Sequence, residues 1–461
     1  MPIKPIKEVY TDVGGNVTVE YSDDSTMKFN QADTVTAVTN PSPGGISLMV
    51  SGNSIPLTFR KRTCVIFGDS ITAQNFAVSA TYNSYADNGY FNWAQAYLGQ
   101  PFELVRNAGV GGNGTAAMLA RIQVDVLAYS AGWVFVQEVY NDIIGGVPWA
   151  TTVANLQTIY QTLVNAGSNV IALSGIPSAN FTTQAHKDAI SNINIWMRAY
   201  CLRNPGMVFV DVYTPLLDPT SAAGAGITAY FVDGIHPSTL GAQIMGQAIY
   251  NTVKNLIPAS GMSLSMADRA SATNPYGNVL LNPVMQGSGG SAGAGFSGVI
   301  AASWVTLIEN GTVSVVCSTP ARADFPNFNW QQMAITCSSG VGVVDLYQQP
   351  TLPAGIAAGD LIYGQGELNI TALATTTLSR LKISITALDS GFTPVANVIN
   401  NVIAMGNNNG SIIPGSYTLR TPNFVVPADA AYLNFTAQAT LAGAGTATFQ
   451  IGRCEVRKVY G

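Results

Sequence analysis

Charge is what this 461-residue chain has least of: Asp, Glu, Lys and Arg together make up 10% of it, against 47% hydrophobic residues. The formal net charge is -5 and lysine and arginine form no cluster. That excludes the phosphate-neutralising surface on which nucleic-acid affinity depends, so no nucleic acid is expected as partner. No stretch approaches the ~18 consecutive apolar residues of a membrane span, and the start, Met1-Pro2-Ile3-Lys4-Pro5-Ile6-Lys7-Glu8, lacks the apolar centre of a signal peptide. The expectation is a soluble protein without membrane insertion. Five cysteines (Cys64, Cys201, Cys317, Cys337, Cys454) are an odd number without CxxC spacing, which argues against a metal site or a disulfide framework. Cys317 with Cys337 is the one pairing considered, against the stronger expectation of free buried thiols. Only two histidines occur, His186 and His236, so any chemistry that needs an imidazole has two candidates.

What the chain does have is length, glycine and neutral polar residues. Its length exceeds what one hydrophobic core organises, so two or three domains are expected, none needing a metal or disulfide to fold. With 46 glycines and many Asn, Thr and Ser, its surfaces are rich in hydroxyls and amides, which suits neutral partners such as glycans. Residues 1–60 alternate in the β manner (Val17-Thr18-Val19-Glu20-Tyr21, Thr26-Met27-Lys28-Phe29) between turn signals at Gly14-Gly15, Asp23-Asp24 and Pro41 to Gly45, a small β-rich module. Residues 61–260 change to short apolar strands alternating with helical-period segments, the pattern of a parallel sheet covered on both faces. Five strands are predicted at 63–67, 103–106, 133–137, 170–174 and 208–212, with helices near 90–99, 115–128, 151–166, 184–203 and 239–256. A connecting region, 261–298, has room for the first strand of the C-terminal region; its run Gly287 to Gly295 reads as a linker or as a long loop. Residues 299–461 carry β-branched and aromatic runs between turns, which predicts a β-sandwich.

The chemistry concentrates at strand ends. Phe67-Gly68-Asp69-Ser70-Ile71-Thr72 follows the first apolar strand, and Asn107-Ala108-Gly109-Val110-Gly111-Gly112-Asn113-Gly114 follows the second. After the third comes Val139-Tyr140-Asn141-Asp142, and Asp233-Gly234-Ile235-His236-Pro237-Ser238 precedes the last helix. Serine is a weak nucleophile that needs a histidine to take its proton and a carboxylate to orient that histidine, and His236 follows Asp233 by three residues. Each block also has a plainer reading: Asp69-Ser70 as a helix cap, the glycines as a flexible turn, Asn141-Asp142 as a turn, His236 as a structural histidine. His186 has no comparable partner and takes no role.

Together and in this order, the four blocks of residues 61–260 resemble the SGNH (GDSL) hydrolase family. The resemblance implies a flavodoxin-like three-layer α/β domain with a five-stranded parallel sheet. It implies Ser70 as nucleophile, His236 as general base and Asp233 as its orienting carboxylate. The oxyanion hole would be formed by the Ser70 N–H, the Gly112 N–H and the Asn141 side chain. Where the family has Gly-x-Asn-Asp this chain has valine, so Val139 is expected to narrow the pocket floor and Tyr140 to add a ring or hydroxyl to the substrate pocket. No G-x-S-x-G elbow is present, which argues against the larger α/β-hydrolase fold. The implied reaction is ester hydrolysis through an acyl-serine, without metal or organic cofactor, on an acetylated glycan or another small-acyl ester.

More loosely, Gly277 to Pro283 and Gly452 to Val459 resemble the first and last strands of carbohydrate-binding β-sandwich modules, with Trp304, Trp330, Tyr347, Tyr363 and Tyr417 as candidate rings for stacking on sugars or as core. The layout is also similar to phage tail proteins that carry SGNH domains and deacetylate host surface glycans, which would imply a homo-oligomer, a trimer, on a virion tail or released by lysis. Two other functions stay open: a lipase or thioesterase for longer acyl chains, and a non-catalytic glycan-binding protein whose SGNH site has decayed.

Overall fold

In the computed structural model, residues 62–459 are described except 79–81, 222–223, 258, 263–264, 374–377 and 405–413; before residue 62 the description covers the backbone of six strands. Ile6–Thr11, Val17–Tyr21 and Thr26–Phe29 form one antiparallel sheet, and Val35–Ser42, Gly45–Val50 and Asn53–Leu57 form another. The turn signals Gly14-Gly15, Asp23-Asp24 and Pro43-Gly44 lie outside the described residues. The chain divides into two compact units, one made of residues 1–73, 101–226 and 247–260, the other of 74–100, 227–246 and 261–461.

The first unit holds the expected parallel sheet. Its strands are β1 (Thr63–Gly68), β2 (Glu103–Gly109), β3 (Trp133–Gln137), β4 (Asn169–Leu173) and β5 (Met207–Val210). All pair parallel, in the order β2-β1-β3-β4-β5. Cys64 to Phe67 and Val170 to Leu173 are fully buried, as an unbroken apolar run must be when helices cover both faces. The flanking helix Trp149–Asn165 turns Thr152, Leu156, Ile159, Tyr160 and Leu163 inward, one face at helical spacing. The strand order reverses between β1 and β3, and in sheets of this kind the crevice outside the carboxyl ends at that point receives the ligand. Register makes the crevice specific: Gly68 pairs with Gly109 on one side and with Gln137 on the other. The residues that follow β1, β2 and β3 therefore leave the sheet side by side.

The second unit is built on one twelve-stranded sheet. The expected sandwich is this single sheet folded back on itself. Its long strand Gln331–Gln348 pairs with Gly445 to Ile451 through its first half and with Phe435 to Leu441 through its second. Ile385 and Phe435 of one layer pack over Gly364 and Gly366 of the other. The glycine-rich run is a loop of this unit, tied down by Gly290 N–H to Ile300 O (3.2 Å), Ser291 N–H to Trp304 O (2.9 Å) and Thr306 N–H to Ser291 O (3.1 Å). All five cysteines are free and buried. The sheet also takes in a hairpin from far upstream, Phe76–Val78 and Tyr82–Tyr85, whose second strand runs parallel to Val398–Asn401.

The candidate rings for sugar stacking or core divide between buried, covered and open positions. Trp304 and Tyr417 are core side chains, and Trp304 Nε1 donates to Asn282 O at 2.9 Å. Arg322 lies 4.0 Å over the Trp330 ring and Arg420 lies 3.7 Å over Tyr363. Only Tyr347 is half-buried and without such a cover among the described residues. Among the described residues no helix is long and apolar enough to cross a membrane.

Candidate active site

Ser70 opens the four-residue helix Ser70–Ala73 directly after β1. Asp69 caps it: its carbonyl accepts from Ala73 N–H (2.9 Å) and its Oδ1 from Ile71 N–H (2.8 Å). The capping reading of Asp69 is therefore correct, and it leaves the next side chain, Ser70, at the strand's end. Gly109, the last residue of β2, lets that strand approach the short helix, because a Cβ there would sit 2.2 Å from Ala73 N. Asn107 seals the same contact, donating through Nδ2 to Ala73 O (3.1 Å) and accepting Gly109 N–H (3.0 Å).

The loop after β2 runs beside the serine, since a Cβ added at Gly111 would lie 3.9 Å from Ser70 Cβ. Gly112 has φ +75° with open space where a Cβ would point, so the left-handed backbone, rather than crowding, is what selects glycine there. Two side chains hold this loop. Arg121 reaches from the helix Thr115–Asp125 to Ala108 O (2.7 Å), Gly68 O (2.8 Å) and Asn113 Oδ1 (2.8 Å), and pairs with Asp125 (3.0 Å). Asp142 accepts from Thr115 N–H (3.0 Å) and from the Thr115 and Thr152 hydroxyls.

Asn141 stands in the helix Tyr140–Ile144 after β3. Its Nδ2 donates to Asp69 Oδ2 (3.2 Å) and to Asn113 O (3.1 Å). The amide thus joins the serine loop to the glycine loop, and both of its N–H bonds already have acceptors that an oxyanion would have to share. Val139 is fully buried, at φ -170°, extended backbone that valine adopts without strain. Tyr140 is buried as well, its ring against Phe181 and its hydroxyl accepting from Asn180 Nδ2 (2.8 Å). Beside them, Glu138 is 1% exposed. Burial, with the Asp142 and Asp69 carboxylates adding to it, raises its carboxyl well above the usual range.

Asp233 and His236 belong to the second unit. The turn between them is closed by Asp233 Oδ1, which accepts from Ile235 N–H (3.0 Å) and His236 N–H (2.8 Å). Oδ2 of the same carboxylate meets His236 Nδ1 at 2.7 Å. Partial burial works against the Asp233 charge, but these hydrogen bonds from His236 and Ile235 outweigh it and hold the carboxyl below its ordinary range. Nδ1 therefore carries a proton toward Asp233, which leaves Nε2 as the basic nitrogen. Ser238 caps the helix Thr239–Val253 by accepting Gly241 N–H (3.2 Å), and Val232 N–H donates to His236 O (2.9 Å).

The structure thus joins Ser70, Gly112 and Asn141 through their loops in one unit, and Asp233 with His236 in the other. The comparisons with known proteins bear on the same span. Residues 66–244 match the GDSL-like lipase/acylhydrolase family. Those residues form a GDSL-like lipase/acylhydrolase domain. The match makes that domain a GDSL, or SGNH, hydrolase domain. Among solved structures, the chain is similar to an acylhydrolase of Bacteroides fragilis (23% identity, 42% of this chain and 88% of that one, TM-score 0.33). It is also similar to a GDSL-like lipase of Bacteroides thetaiotaomicron (20%, 42% and 88%, TM-score 0.34). A third likeness is to a catalytic mutant of an acetylxylan esterase from Geobacillus stearothermophilus (17%, 41% and 93%, TM-score 0.34). No protein of curated function matches.

Within the GDSL-like domain, sequence reasoning missed Arg121, Asp142 and Glu138. Arg121 and Asp142 act through backbone and side-chain groups that the fold brings to them, and Glu138 is set apart by its burial. The single available signal was that a chain so poor in charge keeps an arginine inside the helix after the glycine loop.

Proposed function

We propose that the chain is a serine esterase that removes short acyl groups, O-acetyl above all, from carbohydrate. Ser70 attacks the ester carbonyl while His236 Nε2 takes its proton. The N–H groups of Ser70 and Gly112 and the Asn141 amide receive the developing oxyanion. Collapse of the tetrahedral intermediate breaks the ester C–O bond, and the proton passes from His236 to the leaving alcohol. Water then attacks the acyl-serine by the same route and releases the acid. The observation that carries this reading is the Asp233–His236 contact of 2.7 Å, which fixes a tautomer with a basic Nε2 in the chain's one histidine–carboxylate pair of this spacing. The carbohydrate part rests on the neutral, hydroxyl-rich composition.

The test is acid release from acetylated xylan, acetylated sialic acid and p-nitrophenyl esters of increasing chain length. Ser70→Ala and His236→Ala should lower turnover about 10⁴-fold or more, and Asn141→Ala about 10²–10³-fold. Rates that rise with acyl length, by the ~0.8 kcal/mol that each buried methylene contributes, would mark a longer-chain lipase instead. Wild type indistinguishable from Ser70→Ala on every ester would sink the esterase reading.

A further inference from the structure

The segment that carries the histidine is fastened to the β-rich part of the chain. Gln243 lies one turn into the helix that begins three residues after His236, and it is fully buried. Its Nε2 donates to the Tyr417 hydroxyl and to the Tyr97 hydroxyl, each at 3.1 Å. Tyr417 comes from the strand Gly415–Arg420, nearly two hundred residues later, and is 2% exposed. Its ring meets Trp93 edge-on at 5.7 Å and Tyr97 at 5.3 Å. Around this centre Thr239 Oγ1 donates to Asp87 Oδ2 (2.7 Å), Trp93 Nε1 to Asp87 O (2.6 Å) and Gln100 Nε2 to Thr418 O. Ala242 and Trp93 share one apolar cluster with the strands of the large sheet. Gly246 has no room for a side chain, because a Cβ there would lie 2.5 Å from Trp93 Cβ. A buried amide with two phenol acceptors is a directional contact, since moving the helix would leave desolvated polar groups without partners.

We propose that Tyr417 is a positioning residue for His236: through Gln243 it fixes the helix that follows the histidine, so the β-rich region is part of the catalytic apparatus. This rests on the esterase reading above for the role of His236. Burial keeps the Tyr417 phenol neutral far above physiological pH, so its hydroxyl stays available to the amide at every working pH.

The full-length chain permits a direct test, because it holds only two histidines and His186 is an internal reference. Tyr417→Phe keeps the ring and removes the hydroxyl, and Gln243→Met keeps the volume and removes the amide. For both, kcat and KM on p-nitrophenyl acetate, the melting temperature, and the ring C–H resonances of the two histidines across pH are measured. The expected result is a kcat lower by about 10-fold to 100-fold, KM within about twofold, a displaced His236 resonance and an unmoved His186 resonance. Wild-type kcat in both variants overturns the proposal. So does a fall in kcat that only follows loss of folded protein while the His236 resonance of the folded fraction stays in place. If wild type itself releases no acid, the esterase reading fails, whereas the resonances still show whether Tyr417 governs the His236 environment.

Discussion

At Val139 the chain departs from the glycine of the SGNH pattern that it resembles, and Gly175 stands against the larger residue. A Cβ at Gly175 would lie 3.1 Å from Val139 Cβ and 2.4 Å from Ile190 Cδ1, so the small residue sits across from the large one. Gly175→Ala is expected to destabilise the protein by about 1–3 kcal/mol through overpacking, read as a lower urea midpoint, and Ile190→Val in the same chain, which removes the Cδ1 methyl, should recover part of it. Arg121 carries a second prediction. A lysine can satisfy one of the acceptors Gly68 O, Ala108 O and Asn113 Oδ1 but not all three, because an ammonium lacks the guanidinium's fork. Arg121→Lys should therefore lower kcat about tenfold or more, with circular dichroism showing a retained fold. The Asp233–His236 contact was legible in the sequence, because a spacing of three residues lets a carboxylate close the turn and meet the imidazole. The burial of Val139 and Tyr140 was not legible, since no spacing reveals which way the chain turns after β3.

At the scale of elements, the strands and helices of the parallel sheet fall within a few residues of where apolar runs and helical periods predicted them, because strands buried on both faces leave a continuous apolar signature. The folded-over sheet was less legible. Its strands were visible as alternation, but their pairing was not, since alternation gives a strand's faces and says nothing of its neighbours. One row of that sheet carries a pH-dependent prediction. Asp345, Gln438 and Lys382 stand opposite one another on three adjacent strands. Burial, with the Glu309 carboxyl beside it, pushes the Asp345 carboxyl up to about 7. Between the unfolded value near ~4 and that value, the folded chain holds a proton that the unfolded chain has released, so stability falls as pH rises through this window. Carboxylates held low by partners, such as Asp324 beside Arg322 and Asp360 beside Lys458, act in the opposite sense and only at lower pH. The melting temperature should therefore drop between about pH 5 and about pH 7, and Asp345→Asn should flatten that drop. An equal drop in the variant would assign the slope to other groups.

For the whole molecule, sequence order and spatial order differ. Residues 74–100 and 227–244 lie within the GDSL-like span, yet they pack with residues 261–461. Periodicity could not show this, because nothing local in Tyr82–Tyr85 announces a partner at Val398–Asn401. The arrangement has a consequence for dissection. In a chain cut after residue 260, Tyr82–Tyr85 loses its neighbouring strand, Gln243 loses the Tyr417 acceptor, and Trp93, 1% exposed in the intact protein, loses the sheet residues of its cluster. Each large side chain returned to water forfeits about 1.5–3 kcal/mol, comparable with a sizeable part of a domain's net stability. Residues 1–260 alone should therefore be cleaved rapidly by protease between 74 and 100, melt without a cooperative transition and show no esterase turnover, while the intact chain resists. If the fragment kept wild-type turnover and a sharp melt, the β-rich region would be an appendage after all, and the contacts of Trp93, Gln243 and Tyr417 would be packing without catalytic consequence.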